Sequence, residues 1–128
     1  MENIRQTIER AWDDRSMLSD GGVQAAVREV IDLLDKGSLR VAEPCPDGSW
    51  KVNEWVKKAV VMYFPIQPME TLQAGPLQWY DKIPLKQDYL QSGVRSVPAA
   101  VARYGAYISK GVILMPSYVN IGAYVDEG

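Results

Sequence analysis

Few side chains in this sequence are equipped for chemistry, and the missing ones narrow the field first. The chain contains no histidine, so the commonest general base and the commonest metal ligand are both lacking, and a Ser-His-Asp or Cys-His mechanism is excluded within it. Its single cysteine, Cys45, lies between Pro44 and Pro46. One thiol forms no intrachain disulfide, and no spaced set of Cys and His is present to hold zinc, so we expect no metal and read Cys45 as a thiol in a turn. Asp126 and Glu127 offer adjacent carboxylates for proton removal, but neighbours on an extended strand point to opposite faces. The pair reads as solvated corner residues, and no catalytic residue is assigned. Trp79 and Tyr80, followed by Asp81 and Lys82, could line a pocket. Aromatic residues in such a segment more often anchor a long loop onto a core, which is the expectation here. Arg95, ahead of Pro98, reads by itself as a surface charge.

The composition agrees with one ordinary domain, or one and a part. The chain has 128 residues, 47% apolar, with 14 basic and 16 acidic side chains and a formal charge of −2. No cluster of Lys or Arg stands out, so nucleic acid is not an expected partner. No apolar run approaches the roughly 20 residues that span a bilayer, and the N-terminus is too charged for a signal peptide. No membrane partner is expected, and the reading is of a cytoplasmic protein.

These residues must be positioned by elements that the periodicity outlines. Ile4, Ile8, Ala11 and Trp12 recur at helical spacing, which predicts a helix near residues 3–15. A second helix follows the breaker at 19–22, with Val23, Val27, Val30, Ile31 and Leu34 as its stripe and Gly37 as its stop. Residues 39–43 and 49–52 flank a Pro-Asp-Gly turn and read as a short hairpin. A third helix would start at Asn53 as N-cap, bury Val56, Val60 and Tyr63, and end at Pro65 and Pro68. The competing reading is a buried strand over 59–64. From Pro65 to Gly93 no period is sustained, and the prolines and glycines there suggest a folded connecting segment with short elements.

Near the C-terminus the beat becomes sixfold. Val101, Tyr107, Ile113, Val119 and Val125 are six residues apart, and Gly105, Gly111, Ser117 and Ala123 lie four positions after the first four of them. A bulky residue to fill an interior and a small one where the backbone turns a corner are what a three-sided prism of short parallel strands requires. The expected fold is therefore an α+β N-terminal domain of helices plus a small hairpin, followed by the start of a left-handed parallel β-helix. The division falls at 1–94, with the connecting segment, and 95–128. At three hexads per turn the repeat makes only about one and a half turns. Solenoid turns bury their faces on one another, so the chain is expected to be a fragment of a longer polypeptide.

The segments DKGSLRVAE, WVKKAVV, YDKIPLK, GVRSVPAAVARYGAYI and VILMPSYVNIGAYVDEG resemble the N-terminal part of the tetrahydrodipicolinate N-succinyltransferase family, over nearly the whole chain. EPCPDGS and PIQPMETLQAGPLQW fit less well and are taken as variable loops. The resemblance implies a homotrimeric acyltransferase of lysine and diaminopimelate biosynthesis. It would move succinyl from succinyl-CoA, a co-substrate with no further cofactor, to the amine of 2-amino-6-oxopimelate. It also implies that Arg95, in GVRSVP, binds the acceptor, for which a guanidinium fork is suited because it takes a carboxylate bidentately. The coils that would hold CoA are not expected within these residues, and the chain alone is expected to be inactive. The alternative from another class is a noncatalytic hexapeptide-repeat assembly module. A hexapeptide acetyltransferase of other specificity would share the beat but lack GVRSVP.

Overall fold

Apolar stripes at helical spacing bring three helices together, and a computed structural model describes the result for all residues, 1–128. Helix α1 (Glu2–Asp13) buries Ile8 and Ala11, and α2 (Gly21–Asp35) buries Val23, Val27, Val30, Ile31 and Leu34. Burying one such aliphatic side chain contributes about 1.5–3 kcal/mol, so the α2 stripe alone fixes the helix to its neighbours. Asp20 caps α2 by accepting from Val23 N–H at 3.1 Å. Helix α1 stops two residues earlier than expected because Asp14 turns out of the helix to cap a 3-10 turn over Arg15–Ser19, accepting from Ser16 N–H at 3.1 Å.

The hairpin forms as β1 (Ala42–Pro44) and β2 (Trp50–Val52), antiparallel. The competing strand over 59–64 is not found. Those residues belong to α3 (Glu54–Ile66), which buries Trp55, Val56, Ala59, Val60, Met62 and Tyr63. Asn53 stands at the N-cap position without capping; its side-chain amide donates instead to the carbonyl of Arg40 at 2.8 Å, tying the helix start to the hairpin. Pro65 does not end the helix either. It sits in the last turn, one residue before the helix ends at Ile66, so a single bond to the fourth residue back is given up and no later turn is disturbed. No helix is long and apolar enough to cross a membrane.

Three elements lie in the segment without sustained period. Strands β3 (Glu70–Ala74) and β4 (Leu77–Asp81) form a second antiparallel hairpin, with Leu72 opposite Trp79 and Glu70 opposite Asp81. Helix α4 (Tyr89–Ser92) is a single turn. Trp79 and Tyr80 therefore correct the loop-anchor expectation. Both lie on β4, exposed by 40% and 70%, because a two-stranded ribbon projecting from the body has no core to cover either face.

Six two-residue strands follow: β5 (Arg95–Ser96), β6 (Val101–Ala102), β7 (Tyr107–Ile108), β8 (Ile113–Leu114), β9 (Tyr118–Val119) and β10 (Tyr124–Val125). They pair in parallel as β5 with β8, β6 with β9 and β7 with β10. The three ladders share one small core, which contains Ala102, Ile108, Leu114 and Val119 with Val94, Ala106 and Val112. The expected register is wrong by one residue over its first part. Ala102, Ile108 and Leu114 are enclosed, whereas Val101, Tyr107 and Ile113 turn outward, Ile113 being 55% exposed. The cause is a lost residue near Pro116: Arg95 pairs with Ile113 across 18 positions, but Val101 with Tyr118 and Tyr107 with Tyr124 across 17. A uniform beat set on Val119 and Val125 thus slips by one before that point, and a slip of one exchanges the faces of a strand. Left-handed backbone falls at Ala99, Gly105, Gly111 and Gly122, so Ser117 and Ala123 are not the corner residues they were expected to be.

The ladders are tied to the helices on one side. Gly105 has φ +97°, and a Cβ there would lie 2.7 Å from Ile121 Cγ1 and 3.0 Å from Ile31 Cγ2, so only glycine lets this corner approach α2. Its N–H donates to Asp35 Oδ1 at 2.9 Å, and Lys86 Nζ donates to the same oxygen at 2.8 Å. Tyr107 stacks on Tyr124, ring centroids 4.7 Å apart, and the Arg40 guanidinium lies 3.7 Å over the Tyr124 ring. Residues 84–86 add a further strand-like pairing to β6, Lys86 N–H donating to Ala102 O and Tyr104 N–H to Pro84 O.

Candidate functional site

Arg95 opens β5 directly after the left-handed turn at Gly93, whose φ is +72°. Its backbone is held in the ladder by donation from its N–H to Val112 O at 3.0 Å. Alternation then sends its side chain outward, since Ser96 beside it pairs with the enclosed Leu114. Arg95 is exposed next to Ile113, and no side chain of the molecule forms an ion pair or hydrogen bond with its guanidinium. The fork is thus rigid at its base and open at its tip. Such an arrangement can grip a carboxylate brought from outside.

The other residues singled out from the sequence are placed elsewhere. Asp126 accepts from Glu127 N–H at 2.8 Å and, weakly, from Ser109 Oγ at 3.5 Å, so it finishes a backbone turn beside β10. Cys45 is a free thiol in the β1–β2 turn. No three His, Cys, Asp or Glu side chains gather where they could share a metal ion.

A groove of about 530 Å³ lies apart from Arg95. Its floor is the outer side of residues 84–86, β6 and β9, which present Leu85, Val101 and Tyr118; the β3–β4 hairpin overhangs it with Leu72 and Trp79. Strand alternation produces this wall, because Leu77, Trp79 and Asp81 share one face of β4. Arg103 and Asp81 bring the only charges, paired at 3.1 Å with both side chains partly open to solvent. Burial by itself raises the Asp81 carboxyl, but backbone N–H bonding from Lys82 and the Arg103 charge outweigh it, and the group titrates below the usual carboxylate range. Trp79 was visible in the sequence as a pocket candidate. Arg103, Leu72, Leu85 and Tyr118 were not; the two-residue spacing of Leu77, Trp79 and Asp81 is the signal that would have pointed to a sided strand.

Comparison with known proteins follows the same outline. A family model for the N-terminal region of tetrahydrodipicolinate N-succinyltransferase matches residues 3–66. The chain is 49% identical to a 2,3,4,5-tetrahydropyridine-2,6-dicarboxylate N-succinyltransferase of Paraburkholderia phymatum, over 99% of the chain and 50% of that protein. Proteins of the same name from Variovorax paradoxus and Afipia carboxidovorans are 50% and 46% identical, over 95% and 97% of the chain and 48% of each relative. The chain spans about half the length of the curated relatives it matches. With half its residues matched by the family model and nearly all of them aligned to named members, the chain belongs to the tetrahydrodipicolinate N-succinyltransferase family.

Proposed function

We propose that the chain supplies the acceptor-recognition part of a succinyl-CoA-dependent N-succinyltransferase acting in lysine and diaminopimelate biosynthesis, in the cytoplasm. The observation that carries this reading is identity of 46–50% to proteins of that name across nearly the whole chain. In the reaction the neutral amine of 2-amino-6-oxopimelate, the open form of the hydrated cyclic substrate, attacks the thioester carbonyl. A C–N bond forms, the C–S bond breaks, the thiolate of CoA departs and the ammonium loses its proton. The step requires an oriented acceptor and a stabilised oxyanion. Arg95 fits the first requirement, as an exposed and internally unpaired guanidinium on a strand end held in its ladder. No residue of the chain is assigned the second, nor the role of base.

In this reading residues 95–128 are the first coils of a left-handed parallel β-helix and residues 1–94 the domain that precedes it. The 17- and 18-residue offsets of the parallel ladders support the assignment. Three copies would assemble through the coils, and the site for CoA would lie outside these residues. The exposed Leu90, Ile113 and Met115 favour, as a second reading, a noncatalytic assembly module.

Thiol release from succinyl-CoA with 2-aminopimelate as acceptor analogue separates these readings. The 128-residue chain alone is expected to release none, and steady turnover would defeat the placement of the CoA site. Joined to the C-terminal half of the Variovorax paradoxus relative it is expected to turn over, and Arg95→Glu there should raise the acceptor KM at least about tenfold while leaving that for succinyl-CoA within about twofold. An inactive but well-assembled chimera would favour the assembly module.

A further inference from the structure

The groove between the β3–β4 hairpin and β6–β9 carries a pattern of charge that selects its ligand, and it stands independently of the succinyl-transfer reading because Arg95 does not line it. Its walls are apolar and aromatic, with Trp79 40% exposed and Tyr118 58% exposed. A Trp and a Tyr open to water around a concave volume of about 530 Å³ form the usual surroundings of a small organic ligand. The polar side chains at its edge are not independent of each other. Arg103 donates through one terminal nitrogen to Asp81 Oδ2 at 3.1 Å and through the other to Asn120 Oδ1 at 3.2 Å. A guanidinium has five N–H groups and a carboxylate about four acceptor sites, so both partners keep capacity for a ligand laid over the pair.

A simple anion would meet Asp81 beside Arg103, and a simple cation the reverse, so either would gain little from a site whose formal charges cancel. A molecule with its own adjacent positive and negative groups matches both. We propose that this groove binds a free α-amino acid with an apolar or aromatic side chain, its carboxylate on Arg103, its ammonium on Asp81 and its side chain against Trp79, Leu72 and Tyr118. The ammonium and carboxylate of an α-amino acid are separated by one carbon, which suits two protein charges in direct contact. Like any aspartate of ordinary acidity, Asp81 is ionised at neutral pH and can receive the ammonium.

The test uses the 128-residue chain and L-phenylalanine, followed by the shift of the Trp79 indole N–H resonance, assigned through Trp79→Phe. The expected result is a saturable shift in the low-millimolar range. 3-Phenylpropionate, which lacks the ammonium, and phenethylamine, which lacks the carboxylate, should each bind at least about tenfold more weakly, the effect of losing one charged hydrogen-bonding partner. Trp79→Ala, at an exposed site that leaves the cores intact, should abolish saturation in calorimetric titration, and Arg95→Ala should leave it unchanged. Equal binding of 3-phenylpropionate would reduce the site to an apolar crevice and overturn the proposal. Loss of binding in Arg95→Ala would move the ligand to the acceptor site and overturn it too, without touching the succinyl-transfer reading. So would sedimentation showing that the chain self-associates and that Trp79→Ala separates the copies, since a second copy would then fill the groove.

Discussion

The Asp35 carboxylate receives the N–H of Gly105 and the ammonium of Lys86 on one oxygen, and thereby joins the end of α2 both to the repeat and to the segment at 84–86 that runs beside it. Lys86 is the more enclosed partner, its side chain only 8% exposed. Removing the acid leaves a buried ammonium unmatched, a change that destabilises far more than loss of a surface pair. Asp35→Ala is therefore expected to lower unfolding free energy by about 3 kcal/mol in urea titration, with Asp35→Asn losing less because the Gly105 N–H keeps an acceptor. A midpoint within error of the parent would show that the clamp carries no load. Lys36→Ala, which breaks the neighbouring and largely exposed ion pair with Asp32 but leaves Asp32 its bond from the Tyr104 hydroxyl, serves as the control that should scarcely move the urea midpoint at neutral pH. None of this was legible in the sequence. Asp35 lies 70 residues from Gly105, and no local pattern encodes a partner at that distance; Arg95, by contrast, was singled out by its neighbours in GVRSVP.

Elements differ in what holds them. Helix α2 is fixed by five buried side chains, and its stripe was plain in the sequence because every fourth or third residue had to be apolar to reach the core. The β3–β4 hairpin buries almost nothing, only Leu72 and Asp81 being partly covered, and so no period advertised it. A lone two-stranded ribbon is marginally stable in water. Amides of residues 70–81 are expected to exchange with deuterium well before those of α2, and comparable protection of the two would show that the hairpin is held by something beyond its own ladder. The repeat is intermediate. Its beat was visible, but the shortening near Pro116 was not, because Val119 and Val125 continue a six-residue spacing that also happens to run through outward-facing residues.

At the scale of the molecule, charge and burial set the pH range of stability. The Asp32 carboxyl is lowered chiefly by its hydrogen bond from Lys36, Asp47 by the Ser49 hydroxyl, and Asp81 by the backbone N–H of Lys82 and by Arg103, which outweigh the opposing effect of burial. Groups lowered on folding stabilise the native state above the unfolded carboxylate value and cease to do so as pH falls through their folded values. Tyr63 and Tyr104 are raised, mainly by burial, so their contribution is complete below the usual phenol value of 10.0 and is lost as pH climbs above it. Thermal midpoints should therefore form a plateau from about pH 5 to about pH 9 and fall on both sides; a midpoint still rising between pH 4 and pH 2 would contradict the carboxylate assignments. The sequence by itself determined the three helices, the first hairpin, the sixfold beat and the family, since each is written in local spacing or in contiguous letters. Only the tertiary structure decided which side of each short strand faces inward, which acid meets which base, and that a hairpin overhangs β6 and β9 to make a groove. Those outcomes depend on a one-residue slip and on contacts between segments 20 to 70 residues apart, where chain connectivity sets no local rule and packing chooses.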